Sequence, residues 1–566
     1  MQLFKKMAIF GLVISSIILL VLSNVYADKK IVTYLTQNWT NEDREYFFFA
    51  DQGSRLIPYD YFLYLEQADS TALFRSDENM RRLGLIPAPK SKNNPDSFPI
   101  GLTRNGDYMG PTCAACHTQQ VTYKGETIHI DGGQSFINLN QFLGELTASL
   151  KATLRQPDKF SRFQQQVLGK KASEKEIEVL RSNLKSIYEK RQAHMVHNHT
   201  DIVSGYTRLD AFGAILNQAL LATGVEGNRN APNAPTSIPY IWDTPQHDYV
   251  EWNGSQSNTG VGALARNVGE VIGVFGEIET ETTKWLGLID GGYASSIQTS
   301  ELRKLERVVS QLHSPQWPES FPAIDTKLAK QGRRLFEQHC VQCHLDINRT
   351  DPKRTIQVRM STLDEIKTDP LMAENAIYAK GKSGKFEGRP RYYFAGDPLP
   401  VEAPAIHIAN NIMVGIIKNN PIQAYLGKRD AKQLGHPDVT RPPKYVDGKL
   451  IEAGQEVSDR ALLAYKARPL NGVWTSAPFL HNGSVPNLYQ LLLPAKDRVK
   501  QFSLGTWEFD PKHVGYVMES AENDFVFDTT LLSNSNAGHE YGTGAYGQPA
   551  LTEDERWALV EYMKTL

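Results

Sequence analysis

The stretch Gly332-Arg-Arg-Leu-Phe-Glu-Gln-His-Cys-Val-Gln-Cys-His344 decides how this chain is read. Two cysteines separated by two residues and followed at once by histidine are what covalent attachment of a c-type haem requires. Cys340 and Cys343 are the expected thioether positions, and His344 is the expected proximal ligand of the iron. Gly332 and Phe336 stand four residues apart, on one face of a predicted helix that runs into the motif.

The same signature stands earlier, as Cys113-Ala-Ala-Cys-His117, and these four cysteines are the only ones in the chain. The cysteine arithmetic therefore closes on two haems with no thiol left over. The alternative is a pair of unrelated CxxC sequences serving a zinc or redox site. With 14 histidines in 566 residues, chance placement of histidine after both pairs is on the order of one in 1600. A thioredoxin-like site would also need a βαβ context, which neither neighbourhood shows.

At 566 residues the chain suits two or three domains. Hydrophobic content of 41% and charged content of 22% describe a globular protein, and a net charge of −2 gives no electrostatic case for nucleic acid. The first 27 residues are read as a secretory signal peptide. Lys5 and Lys6 precede an apolar run from Met7 to Leu22, and Val25-Tyr26-Ala27 offers small residues at the cleavage positions. An uncleaved anchor is the alternative, but the run is short for a span. Export fits c-type attachment, so the expected location is periplasmic or secreted, from a bacterial source, with no stable membrane span after cleavage.

Helices are predicted over 136–155, 173–192, 210–223 and 300–312, and over Leu551–Met563 with a Thr552/Glu555 capping box. Trp557, Val560 and Tyr562 of the last are expected to pack near Gly332 and Phe336. Residues 80–112 read as a loop into the first motif. The stretch Gly224–Gly276 reads as a long functional loop, poor in helix signals. Ser314-Pro-Gln-Trp-Pro318 is taken as the boundary between an N-terminal haem domain, 28–313, and a C-terminal cytochrome c domain, 314–566.

The approach of Gly332 and Phe336 to the second motif is similar to the first helix of small class I cytochromes c. Two CxxCH motifs in this order, together with Pro469-Leu-Asn-Gly-Val-Trp-Thr-Ser-Ala-Pro-Phe-Leu-His-Asn-Gly-Ser484, resemble the bacterial dihaem cytochrome c peroxidase superfamily. Gln52-Gly-Ser-Arg-Leu-Ile-Pro-Tyr-Asp-Tyr-Phe62, Gly110-Pro-Thr-Cys-Ala-Ala-Cys-His-Thr118, Ile130-Asp-Gly-Gly133 and Ser535-Asn-Ala-Gly-His-Glu-Tyr-Gly542 look closer to its dihaem rubber-oxygenase branch. The resemblance implies a mainly α fold: two cytochrome-c-like haem domains with extensive irregular loops and little sheet. It also implies a division of labour. His117 would be proximal at a reactive N-terminal haem, and His344 would be proximal at an electron-transfer haem with histidine on both faces.

For that second face His539 is chosen, with His481 as the alternative. Trp242 matches a tryptophan-bearing stretch of the family and is the expected catalytic residue, beside or between the haems. His129 is a candidate distal acid, although its Thr-Ile-His-Ile context suits a structural role. The resulting expectation is a haem-dependent oxidoreductase, of peroxidase or dioxygenase type. It would use two covalent haem c groups, a small oxidant (dioxygen or peroxide), and an electron donor or organic substrate. The alternative is a non-enzymatic dihaem electron carrier. Peroxidases of the superfamily also hold calcium, for which no acidic loop here argues.

Overall fold

The computed structural model describes residues 32–285, 288–434, 445–446, 449–450, 463–518 and 525–566. Residues 1–27, read from the sequence as a signal peptide, lie outside the described residues. The helix Thr326–His339 runs into the second CxxCH turn and packs along the terminal helix Glu553–Met563. Their closeness depends on a missing side chain: a Cβ at Gly332 would lie 1.9 Å from the Ala558 carbonyl oxygen. One turn on, Phe336 meets Tyr562 with ring centres 5.3 Å apart. Val560 is fully buried, whereas Trp557 turns away to stack on Tyr489 at 4.2 Å. Thr552 caps the terminal helix in a reciprocal box with Glu555.

The first motif is built differently. Strand Leu102–Asn105 pairs with Tyr108–Pro111, which also pairs with Ile57–Pro58. The chain then makes one helical turn, Cys113–Cys116, and leaves as strand Thr118–Tyr123. That strand pairs antiparallel with Glu126–Asp131, whose other edge takes Val32–Tyr34 in parallel. The first CxxCH turn is thus held between two three-stranded sheets.

This corrects the expectation of a mainly α chain with little sheet. Helix takes 39% and strand 17%, the strand spread over many small sheets. The strands are two to eight residues long, as in Ile57–Pro58 and Ile278–Trp285. Such short strands carry too few alternations to announce themselves, and long-range pairs such as Arg359–Thr362 with Ala464–Ala467 leave no local turn signal. Residues 80–112, read as loop, hold two of the strands that lead to Cys113. The stretch Gly224–Gly276 also contains a helix, Gly262–Gly273. Its glycine and valine content lowers intrinsic propensity, and packing against the helices Ala211–Ala222 and Ala405–Lys418 overrides it.

The largest core cluster draws residues from both sides of Ser314, among them Trp242, Leu312, Phe321 and Trp474. Trp317, in the expected boundary, packs edge-on against Trp474 at 5.6 Å.

Candidate haem sites

At the first motif Thr112 caps the turn. Its hydroxyl donates to the Phe48 carbonyl at 3.0 Å and accepts from the Ala114 amide at 3.3 Å. Gly101, at φ +90°, lets the turn approach, since a Cβ there would lie 2.2 Å from the Ala115 nitrogen. His117 Nδ1 lies 2.9 Å from the Pro239 carbonyl oxygen. A carbonyl only accepts, so Nδ1 carries the proton and Nε2 presents its lone pair, the tautomer an iron ligand needs. Burial pulls the His117 pKa down to about 4, so the ring is neutral at pH 7.

The second motif repeats the device. His344 donates from Nδ1 to the Arg468 carbonyl at 2.6 Å, and burial again holds its pKa below the ordinary value. His539 faces it, with ring centres 6.1 Å apart and planes inclined by 60°. Two metal–imidazole bonds of about 2 Å, plus about 1 Å from each bonded nitrogen to its ring centre, span about 6 Å. A single iron fits between these rings. The His539 loop is firmly held: its amide donates to the Ile366 carbonyl at 2.9 Å, and Arg498 donates to the Gly538 carbonyl at 3.0 Å. His481 is elsewhere. It stacks on Tyr465 at 3.9 Å and hydrogen-bonds the Asp369 backbone.

The cysteines suit thioethers better than thiolates. Burial pushes the Cys113, Cys116 and Cys340 thiols up to about 12, and raises Cys343 as well. A redox or zinc role needs the thiolate that burial opposes; a thioether sulfur is uncharged and meets no such penalty. The surroundings also hold buried nitrogen groups without partners. His247 is fully buried with neither ring nitrogen partnered, and burial, then the charges of Lys466, Arg468, Arg266 and Arg354, keep it neutral. Arg468 Nε and Arg354 Nη2 are unpartnered too. Buried cations with free donors are where the two carboxylates of a porphyrin would be accepted. On ligand tautomer, spacing, sulfur chemistry and charge, the residues fit haem c.

The two sites touch. Pro239, which holds His117, precedes Tyr240, whose carbonyl accepts from Arg468 Nη2 at 2.7 Å. Arg468 in turn holds His344, and its guanidinium lies 3.7 Å from the Tyr240 ring centre. Trp242 is fully buried, stacks on Tyr240 at 4.2 Å, and donates to the Asn471 carbonyl at 2.8 Å. His129 lies apart from this contact: its Nε2 pairs with Gln120 Oε1 at 2.9 Å and its ring meets Tyr34.

Two residues near the first motif were missed from the sequence, Glu251 and Glu270. They hydrogen-bond to each other, and the Glu270 charge reaches both Cys113 and Cys116. Burial, then the neighbouring Glu251 charge, raises Glu270 to about 8. With Phe212, Ile215, Gln256 and Arg266 they line a cavity of about 30 Å³. Neither residue carries a motif, and the only sequence signal was their place within Gly224–Gly276. On the far side of Ile215 and Gly273 lies a cleft of about 800 Å³, lined by residues including Leu139, Met195, Tyr206, Asp210 and Phe275.

A family model described as RoxA-like, cytochrome c-like, matches residues 464–503, the segment that contributes Arg468. Such a domain implies haem c binding. Two curated relatives come from Sinorhizobium fredii, and both are uncharacterised. The protein y4iJ is 32% identical over 600 aligned positions, covering 94% of this chain and 93% of that protein. The protein y4iM is 26% identical over 339 positions, covering 58% of this chain and 62% of that protein. Among the described residues no helix is long and apolar enough to cross a membrane.

Proposed function

This chain belongs to one family with the Sinorhizobium fredii protein y4iJ and carries a RoxA-like cytochrome c segment, and from that premise we propose that it is an exported dihaem oxidoreductase. The N-terminal site around Cys113, Cys116 and His117 reacts with dioxygen or peroxide, and the C-terminal site around Cys340, Cys343, His344 and His539 passes electrons.

One observation carries the reading: the two histidines have different partners. His344 faces a second imidazole at 6.1 Å. Among the described residues no aromatic or imidazole ring contact involves His117, and a carboxyl pair lies near its motif instead. A haem c with one open face supplies a binding place for a small oxidant and a store for one electron. Pro239 and Arg468 orient the two ligating rings, and Arg468 with Tyr240 and Trp242 gives electrons a packed route between the sites. The cleft beside Ile215 offers an organic substrate or reductant a place to approach.

Electron paramagnetic resonance of the ferric protein tests this. One low-spin signal from paired imidazoles beside one high-spin signal is expected. Two low-spin signals would instead make the chain an electron carrier. For export, the mature protein recovered from periplasm or medium should begin at residue 28; an intact N-terminus there would contradict cleavage.

A further inference from the structure

We propose that the cleft beside Ile215 binds a neutral dihydroxyarene, a hydroquinone or catechol, which gives its electrons to the N-terminal site across the Ile215 wall. The proposal rests on the reading of that site as a haem with an open face, which supplies the acceptor of the electrons.

The cleft measures about 800 Å³, within the range that takes a small organic molecule. Flat apolar faces line it. The Phe275 ring stands against His194 with ring centres 5.1 Å apart, and Tyr206 is backed by Phe136, stacked at 4.8 Å. Phe275 is held at φ +75°, left-handed backbone that a bulky side chain occupies at a cost. Its carbonyl is fixed there by the Arg55 amide, which donates at 3.0 Å. Gly205, at φ +72°, admits the Phe525 ring, which a Cβ there would strike. Stacking surfaces of this kind suit an arene.

The polar groups fix the rest of the chemistry. Burial, then the Arg191 charge, pulls His194 down to about 4, so its ring is neutral at pH 7 and offers one donor and one acceptor. Asn198 Nδ2 stands 3.5 Å from its Nε2, too long to commit the ring. Asp210 accepts from the Gly213 amide at 2.7 Å and the Ala234 amide at 2.9 Å, which leaves each carboxylate oxygen a lone pair. Burial raises it to about 6, so it is ionised at pH 7, its charge set on the N-terminus of the helix Ala211–Ala222. Both groups accept from hydroxyls, and His194 also donates to the carbonyl that oxidation leaves. Charge selects against ions. Arg82 is committed to Glu145, the Asp210 carboxylate repels an anion, and the Arg191 guanidinium, 5.1 Å from the Phe275 ring centre, repels a cation.

The arene stays in the cleft. A Cβ on Gly273 would lie 2.6 Å from Ile215 Cγ1, so the wall is closed there. The space that Ile215 lines on the inner side is about 30 Å³, the room of about one water molecule. An electron crosses such a layer and the molecule does not. Each dihydroxyarene gives up two electrons and two protons in two one-electron steps: Ar(OH)2 + 2Fe³⁺ gives ArO2 + 2Fe²⁺ + 2H⁺. Both O–H bonds break and the ring becomes a quinone. The protons pass to Asp210 and His194 and on to water at the cleft mouth, and the ferric irons of the two haems take one electron each.

The test uses the full haem-loaded chain and two variants. Ala214→Trp fills the cleft from a half-buried lining position, and His194→Phe keeps a flat ring without nitrogens. The probe is tetramethylhydroquinone in the absence of oxygen. Calorimetry on the dithionite-reduced protein reads binding alone, and stopped-flow absorbance reads reduction of the ferric haems. Carbon monoxide uptake equal to the parent's shows that each variant is folded and loaded. The expected result is one probe molecule bound per chain, haem reduction that saturates with the probe, binding abolished in Ala214→Trp, and affinity lowered about 3–10-fold in His194→Phe. Parent-like binding in both variants would overturn the site. Binding in the cleft without reduction of the ferric haems would overturn the donor role. Equal or tighter binding of the probe's dimethyl ether or of squalene, neither of which has a hydroxyl, would overturn the ligand class, as would equal binding of hydroquinone sulfonate. A parent that binds the probe but no carbon monoxide would overturn the open-face reading and leave the cleft standing as an arene site.

Discussion

Arg468 donates from Nη2 to the Tyr240 carbonyl at 2.7 Å, and its own carbonyl accepts from His344 at 2.6 Å. Since Pro239 holds His117, three hydrogen bonds and two short runs of chain join the histidines of the two CxxCH motifs. Arg468→Met keeps the carbonyl but removes the donor, leaving the buried Tyr240 oxygen unpaired. A stability loss of about 1–3 kcal/mol is expected in urea titration, with slower electron equilibration between the haems after flash reduction. An unchanged equilibration rate would exclude Arg468 from the route. Trp242→Phe should also lower the melting temperature, because it strands the Asn471 carbonyl.

His539→Ala should turn the low-spin haem high-spin or water-ligated, and His481→Ala should leave it low-spin. Gly538→Ala is the subtler probe. Gly538 sits at φ +74°, and a Cβ there would lie 2.3 Å from the Lys367 carbonyl carbon. Displacing that loop should give a mixed-spin spectrum and cost about 1 kcal/mol or more. A wild-type spectrum for both His539→Ala and Gly538→Ala would remove His539 from the iron.

Acid should weaken the fold in a defined window. Burial lowers His129 and His194 to about 4 and His481 to about 3, from 6.5. Between those limits the unfolded chain binds protons that the folded chain refuses, so stability falls as pH drops from about 6.5 towards 4 and levels off below. Urea midpoints measured across pH 4–7 should follow that slope, and a His194→Gln variant should show a shallower one. Glu270 works the opposite way. Its carboxyl is raised from 4.5 to about 8, which penalises folding increasingly as pH rises through that interval. Glu270→Gln should therefore gain more stability at pH 8 than at pH 5.

Gly332→Ala tests the helix pair that frames the second motif. The added methyl meets backbone, the Ala558 carbonyl at 1.9 Å, so the helices must part. A loss of about 1–3 kcal/mol is expected, and an unchanged melting temperature would contradict the packing.

Much of the candidate site was legible because the expected attachment chemistry imposes a contiguous pattern. Cys113, Cys116, His117, Cys340, Cys343 and His344 stand in unbroken motifs, and the helices with capping boxes, at Ser173 and Thr552, declared themselves. What depended on chain folding back was not legible. Arg468 and Pro239 act through backbone carbonyls, to which a sequence assigns no special residue. Glu251 and Glu270 meet because a strained loop and a glycine-rich helix converge. The short strands around Cys113 carry no period long enough to read, which is why the expected mainly helical chain proved mixed.

The central claim is two haems of unlike coordination in one chain. It is tested most directly by carbon monoxide titration of the dithionite-reduced protein, with haem counted as the pyridine haemochrome. Two covalent haems and one bound carbon monoxide per chain are predicted. Fewer than two haems, or two haems binding none or two carbon monoxide molecules, would contradict the account.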